Sequence, residues 1–332
     1  MGLRIQGYLQ LRRIGEVLNP MHSSFTKALE SGDLMEIRRV PKPDLHNHCL
    51  MGGRIRDIEK FYGVRLSRFH PQKGSIQELD RWIAKEYRPL LMNHPGAFAN
   101  AVKAAFLQAK RDGITLLEMS IDAGYGASFG IPPKEVISTL HDTHQSIAPD
   151  IDYRPELGFI REQSIRRLMS LMEPYLGFGY FRSIDLYDDE FAQPVRNFRE
   201  IFRFAKKMGL KCKAHAGEFG DAESVREAVE ELELDAVQHG ISAAGSPEVM
   251  KWLAENRIQL NVCPASNIRL KRARSYKTHP VRILADHGVQ VTINTDDVLL
   301  FGAGVSEQFS RLYKTGLFTT GELDRIRQNG LS

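Results

Sequence analysis

Eight short strand-like runs alternate along this chain with stretches of helical period, and that alternation constrains the fold more than any other feature. The runs fall near 43–49 (PDLHNHC), 114–122 (ITLLEMSID), 152–160, 181–188, 211–217 (KCKAHAG), 235–240, 258–265 and 289–296 (VQVTINTD). Helix-period stretches lie between them at 97–111, 133–146, 162–172, 194–208, 222–233, 246–255 and 278–287. Strands alternating with helices predict a parallel sheet. Eight such units predict a (β/α)8 TIM barrel, whose active site is built from the C-terminal strand ends. The 332 residues exceed the roughly 250 of such a barrel, so a single domain over 1–332 with two additions is expected. One is an N-terminal helical extension over 1–40, with a helix near 23–38 capped at Ser23-Ser24. The other is an insertion over 54–95 after the first strand, where Trp82, Tyr87, Leu90 and Leu91 predict amphipathic helices. An insertion there overhangs the pocket of a barrel enzyme, which predicts a lid; the blander alternative is a packing elaboration.

Four of the strand-like runs end in metal-binding or proton-transferring side chains: His46-Asn47-His48, His215-Ala216-Gly217-Glu218, His239-Gly240 and Thr295-Asp296-Asp297. A lone H-x-H more often packs or solvates. Four such stretches at one end of a barrel point to a hydrolytic zinc site, because imidazole and carboxylate are the ligands a borderline-soft divalent ion takes when thiolates are absent. Residues i and i+2 of a strand face the same side, so His46 and His48 can share one target. Zinc lowers the pKa of bound water from 15.7 to around 7. Glu218, three residues beyond His215, lies close to that metal without being expected to bind it, and a carboxylic acid there suits proton transfer. His239, on the next strand, can hydrogen-bond the same water. Asp296 and Asp297 are consecutive and cannot both face inward from one extended place, so one is expected on the metal and the other on the substrate. His141 and His144 lack a third ligand and read as a surface feature; His279 before Pro280 reads as positioning the following helix.

PKPDLHNH, HAGE, QHG, CPASN, HP and NTDD, in this order, resemble the adenosine deaminase family of the amidohydrolase superfamily from about residue 41 onward, and within it a bacterial adenosine-deaminase-like subgroup in which a double glycine follows H-x-H. The resemblance implies one zinc per chain held by His46, His48, His215 and Asp296. It also implies Glu218 as the acid beside the ring, His239 as the residue that positions the water, and Asp297 on a purine nitrogen. Asp188 and Gly217 are the further substrate-contacting candidates. The implied reaction is hydrolytic deamination of a 6-aminopurine, adenosine or a related nucleoside, giving an inosine-type product and ammonia. The alternatives are an adenine deaminase, a deaminase of a modified or phosphorylated adenosine, and a catalytically silent purine-binding barrel.

Three departures bear on substrate choice. Where adenosine deaminases carry an aspartate after H-x-H, and adenine deaminases often a glutamate, this chain has Cys49-Leu50-Met51-Gly52-Gly53. Tyr187-Asp188 replaces the Ala-Gly of the family's fourth-strand D-L-A-G-D-E, and Ser120 replaces an arginine two residues after Glu118. Lys213, two before His215, faces the same interior, where an ammonium is costly unless paired; it is expected to replace the missing arginine by pairing with Glu118, or failing that with Asp185. The fourth strand has no lysine of the kind that bridges two metals, and no C-x-x-C suggests the other zinc nucleobase deaminases.

A formal charge of +4 lacks the concentrated basic stripe of a nucleic-acid binder. The densest basic run, Lys271-Arg272-Ala273-Arg274 with Lys277, reads as a solvated face or, alternatively, as a holder of a substrate phosphate. Cys49, Cys212 and Cys263 lack zinc-finger spacing and read as buried thiols of a reducing cytoplasm. The N-terminal residues have no signal-peptide core, and no apolar run is long enough to cross a membrane. The expected partner is a small purine, with neither nucleic acid nor membrane; oligomeric state is not legible. The final segment, ending at Gly330-Leu331-Ser332, is shorter than expected for a barrel-closing region.

Overall fold

The computed structural model describes residues 23–94 and 96–331. Residues 1–22 of the expected N-terminal extension, and residue 95 at the end of the insertion, lie outside the described residues. Eight parallel strands follow one another around a single sheet: β1 (Lys42–Asp44), β2 (Ile114–Asp122), β3 (Asp152–Ile160), β4 (Ser183–Tyr187), β5 (Lys211–Ala216), β6 (Ala236–His239), β7 (Gln259–Val262) and β8 (Gln290–Ile293). Helices pack outside them, as the (β/α)8 expectation requires.

The alternation within each strand sorts its side chains. In β8, Val291 and Ile293 belong to the apolar core between sheet and helices, whereas Gln290, Thr292 and Asn294 alternate with them. The inner face of this half of the barrel is a hydrogen-bonded polar ladder. The Asn261 amide donates to Gln238 Oε1 at 2.8 Å, Thr292 Oγ1 donates to Asn261 Oδ1 at 2.9 Å, and the Asn294 amide donates to Thr292 Oγ1 at 2.8 Å. These bonds offset the burial of all but the Gln238 amide nitrogen, which has no partner.

Lower in the same interior, Lys213 makes the expected contact with Glu118. Its second partner is Glu156 Oε2 at 2.5 Å, not Asp185, which faces His215 at 3.2 Å instead. β5 and β3 both direct side chains of this parity inward, and Ser183 also donates to Glu156 at 2.7 Å. Burial pushes Glu156 up to about 7 even with the ammonium beside it.

β8 meets β1 mainly through side chains. Asn294 Oδ1 accepts from Leu45 N–H at 2.7 Å, Asp44 Oδ1 accepts from Thr295 N–H at 3.0 Å, and Asp44 Oδ2 accepts from Thr295 Oγ1 at 2.6 Å. A backbone bond from Asp296 N–H to His46 O at 2.9 Å completes the seam. The strand expected over 43–49 is therefore shorter: its ladder stops at Asp44, and His46-Asn47-His48 is tied only by single bridges, Asn47 to Asp296 and His48 to Ser120.

The N-terminal helix expected over 23–38 is two helices, Ser24–Ser31 and Leu34–Arg39. Gly32 at φ 69° ends the first and the Asp33 side chain caps the second, accepting from Met35 N–H; Ser23 caps the first as expected, accepting from Thr26 N–H. The 54–95 insertion folds into helices Ile55–Tyr62, Ile76–Trp82 and Arg88–Asn93, the last two joined by a wide π-type turn over Ile83–Tyr87. It has its own apolar cluster, in which Leu66, Phe69, Leu79, Trp82 and Tyr87 pack with Leu270 and Leu299–Phe301. The double glycine has a steric reason: a Cβ on Gly53 would lie 2.4 Å from the Ala104 methyl of the helix Ala97–Arg111. His279 accepts from Val281 N–H at 3.1 Å, positioning the helix Val281–Asp286 as expected.

Replacing Lys213 by Met leaves Glu118 and Glu156 buried with their shared ammonium gone, and should destabilise the fold by about 3 kcal/mol or more at pH 8. In the variant, the folded-state pKa of Glu156 rises further above its unfolded value, so protonation relieves the loss as pH falls. Chemical denaturation should show the gap to the parent narrowing from pH 8 towards pH 5; a gap that is constant or widens would count against the shared-ammonium arrangement.

Candidate functional site

All seven candidate side chains of the strand-end motifs converge at the C-terminal end of the barrel. The rings of His46 and His48 lie 5.0 Å apart, His46 and His215 4.7 Å, His46 and His239 4.9 Å, and His215 and His239 4.9 Å, centroid to centroid. Asp296 faces three of them: its Oδ1 is 3.8 Å from His46 Nε2 and 3.6 Å from His48 Nε2, and its Oδ2 is 3.8 Å from His239 Nε2. Asp296 sits at φ 58°, and Asp188 and His239 are also left-handed, at 82° and 64°. The left-handed turn ends each strand abruptly and lets consecutive residues diverge, which is how Asp296 and Asp297 both reach the site.

Electrostatics favours a cation at this cluster. The Nε2 atoms of His46 and His239 are buried and have no hydrogen-bond partner. Burial, together with the neighbouring imidazoles, holds both rings well below the ordinary histidine range, leaving them neutral, the form that binds metal. Burial lowers His48 as well, against the pull of Asp296. His215 goes the other way, up to about 9: burial lowers it, but Asp185 and other carboxylates outweigh that. The donor set of three histidines and a carboxylate fits a divalent ion. Cys263, expected as an inert thiol, has its sulfur grouped with His46, His239 and Asp296 within 4.8 Å. Burial keeps that thiol protonated, and it points to Asn261 O at 3.7 Å.

Glu218 is pushed up to about 8, first by burial and then by Asp296. Its Oε1 lies 3.5 Å from both Ser266 Oγ and Asn267 Nδ2, and its Oε2 lies 3.5 Å from His239 Nε2. Asn267 Nδ2 also lies 3.2 Å from His239 Nδ1. With Asn267 donating, Nδ1 is the acceptor and Nε2 carries the hydrogen.

A cavity of about 640 Å³ opens beside this cluster. Its walls include Met51, Tyr187, Asp188, Asp297 and Phe301, and the insertion supplies its roof through Ile76, Leu79, Ile83 and Arg88. Asp297 is driven well above the carboxylate range by burial and by Asp296. Asp188 rises to about 7 through burial, with Asp80 and Glu162 adding to it. Gly217, at φ 66°, does not line the cavity; a Cβ there would meet Val225 at 2.3 Å and Ser242 at 2.4 Å, so the close approach it serves is internal. The Lys271–Lys277 run is absent from the cavity walls as well.

One carboxylate not singled out beforehand organises the loop after β5. Glu190 accepts from the backbone N–H groups of Gly217 at 2.8 Å, Glu218 at 2.9 Å, Phe219 at 2.8 Å and Gly220 at 3.3 Å. The fourth-strand D-L-x-x-D-E pattern carried that residue, without a local sign of its role.

A parallel barrel with histidines and carboxylates converging at its C-terminal end defines a hydrolase of the metal-dependent barrel class. Comparison with known proteins makes this specific. The family model described as adenosine deaminase matches residues 72–332, and the chain belongs to the adenosine deaminase family of the amidohydrolase superfamily. A Treponema pallidum protein provisionally named adenosine/adenine deaminase is 34% identical over 284 residues, covering 85% of this chain and 94% of that one. Among solved structures, the adenine deaminase of Arthrobacter aurescens superposes with a TM-score of 0.77 at 23% identity, covering 88% of this chain and 92% of that one. An amidohydrolase of Burkholderia ambifaria with bound zinc also gives a TM-score of 0.77, at 22% identity, covering 96% and 89%. The chain is a hydrolytic deaminase of an aminopurine.

Glu190→Gln replaces a carboxylate that accepts four backbone donors with an amide that can satisfy fewer of them. Charge-assisted bonds of this kind contribute about 1.5–3 kcal/mol, so urea denaturation should show a loss of about 2 kcal/mol, and a variant as stable as the parent would remove the anchoring role.

Proposed function

We propose that this chain converts adenosine, or a closely related neutral 6-aminopurine nucleoside, to the 6-oxo product and ammonia, using one zinc ion held by His46, His48, His215 and Asp296. The observation that carries the reading is the junction of two features in one cavity: the histidine–carboxylate cluster at its base and an acidic, partly apolar wall above it. The orphaned Nε2 and neutral ring of His46 support the metal assignment, as does the zinc of the Burkholderia amidohydrolase. Bound there, zinc would make a nucleophilic water available at neutral pH.

The chain's own groups divide the remaining work. Glu218, protonated at neutral pH by its surroundings, delivers the proton that relieves charge on the ring nitrogen. Its Oε1 is held by Ser266 and Asn267. His239 presents Nε2–H to the attacking water, in the tautomer set by Asn267. Asp297, whose Oδ1 is buried without a partner, orients the base at another nitrogen. The insertion excludes water as a lid; the Tyr87 hydroxyl fastens it by donating to Leu50 O at 2.6 Å.

The same wall decides between substrates. About 640 Å³ lies in the range for a ligand larger than a bare base, and Asp80, Glu162 and Asp188 are suited to accept bonds from sugar hydroxyls. A phosphate placed against those three acids, away from Arg81 and Arg88 of the roof, would be repelled. With the sugar hydroxyls on the acids, adenosine fits this cavity better than adenine or AMP.

Three measurements test the reading. Elemental analysis should find one zinc per chain; two tightly held ions, or none after zinc supplementation, would defeat the assignment. Glu218→Gln should keep the metal and lose at least about a hundredfold in turnover, the low end of general acid effects; loss of the metal would make Glu218 a ligand. Ammonia-release assays should give adenosine a kcat/KM at least about tenfold above those of adenine and AMP, corresponding to about 1.4 kcal/mol; AMP turned over as well as adenosine would overturn the neutral-substrate argument.

A further inference from the structure

The basic run after β7 does not reach the cavity just described, yet part of it lines another. A second cavity of about 360 Å³ is walled by His70, Arg269, Lys271, Arg311, Tyr276 and Phe301, among others, with no carboxylate in its lining. The three cations that carry fixed charge are satisfied only by neutral atoms. Arg269 donates to Phe69 O at 3.3 Å and lies 3.1 Å from His70 Nδ1. Lys271 donates to Gln72 O. Arg311 donates to the Tyr276 hydroxyl at 3.2 Å and stacks over that ring. Among the described residues, none of the three has an acidic group within ion-pair distance.

The site is built rather than incidental. Lys271 is left-handed at φ 58° and ends the helix Pro264–Arg269, with its N–H bonded back to Ile268 O at 3.1 Å. Gly74, at φ 71°, brings the insertion's backbone so close to the Leu270 carbonyl that a Cβ would lie 2.1 Å from it. Together these fix the segment 70–72 opposite the segment 269–271. Leu270, between Arg269 and Lys271, lines the catalytic cavity, and Phe301 lines both. Three unpaired cations beside two aromatic rings suit an anion that carries an apolar body.

We propose that this second cavity is a binding site for a small phosphoryl-bearing molecule, with the phosphoryl group on Arg269, Lys271 and Arg311 and the apolar body against Tyr276 and Phe301. It is distinct from the reaction site and does not depend on the substrate assigned above.

Isothermal titration calorimetry of the full-length, metal-replete protein with phenyl phosphate tests this, with phenol as the uncharged comparison and ionic strength held constant. We expect one site with Kd below about 1 mM and no detectable binding of phenol. Binding should weaken at least tenfold in Arg269→Ala/Lys271→Ala and also in Arg311→Gln, which leaves the contacts between segments 69–72 and 269–271 in place. Arg226→Ala, which alters an exposed cation paired with Glu230 on the helix Ala222–Leu232, should bind as the parent does. Absence of binding, equal loss in the Arg226 control, or no loss in the Arg269/Lys271 and Arg311 variants would overturn the proposal. So would tighter binding of a short single-stranded oligonucleotide than of phenyl phosphate, which would make the patch a polyanion surface.

Discussion

The site depends on how the last strand meets the first. His46 and His48 stand about 250 residues from Asp296 along the chain, and they come together because Asp44 and Asn294 bond across the seam between β1 and β8. A regular ladder would have continued both strands past this point. Side chains take over instead, and the freed backbone of His46-Asn47-His48 turns its rings to a common centre. Asp44 is buried deeply enough to be pushed up to about 7, and it stays because Thr295 offers it two donors. Closure and site assembly are thus one event in this barrel.

The polar interior follows from the same demand. Parallel strands buried on both faces are usually apolar on both, but here the inward side chains of β5 to β8 form a chain of amides, hydroxyls and ions. Such a core is stabilised by the partners its members find, and Gln238 Nε2 and Asp185 Oδ1 are left without one. Lys213 shared between Glu118 and Glu156 closes the lower end, the Gln238–Asn261–Thr292–Asn294 ladder fills the middle, and the histidine cluster at the top has polar atoms that the protein alone leaves over. The unmet valence at the top is that of a candidate metal site.

Much of this was legible in the sequence. β2 falls where a nine-residue run rich in β-branched and apolar residues predicts it, β3 where the alternation of strand-like and helical stretches does, and the strand-end motifs meet because a parallel barrel brings all its strand ends to one face. Lys213 could be paired with Glu118 because parity along each strand decides which side chains face inward. The same reasoning was open for Glu156, which alternates with Gly158 and Ile160 on β3, but an acid in a strand carries no sign of its partner. Glu190 and Asn267 escaped for the same reason: their roles exist only across elements. The end of β1 was misjudged because Leu45–Cys49 stays strand-like in composition after its ladder partners have diverged, and the N-terminal helix was read through Gly32-Asp33, where a left-handed stop is followed directly by a new cap.

The left-handed residues at the strand ends narrow what can change there. Asp188, His239 and Asp296 occupy backbone space that glycine, asparagine, aspartate and histidine tolerate and β-branched residues do not. Mutational drift at these positions is filtered by conformation before chemistry is tried. The accessible neighbours of Asp188 are glycine, which the family pattern carries there, and asparagine, which keeps the shape without the charge. The side chain at this point of the cavity wall can therefore change by small steps while the strand end keeps its path.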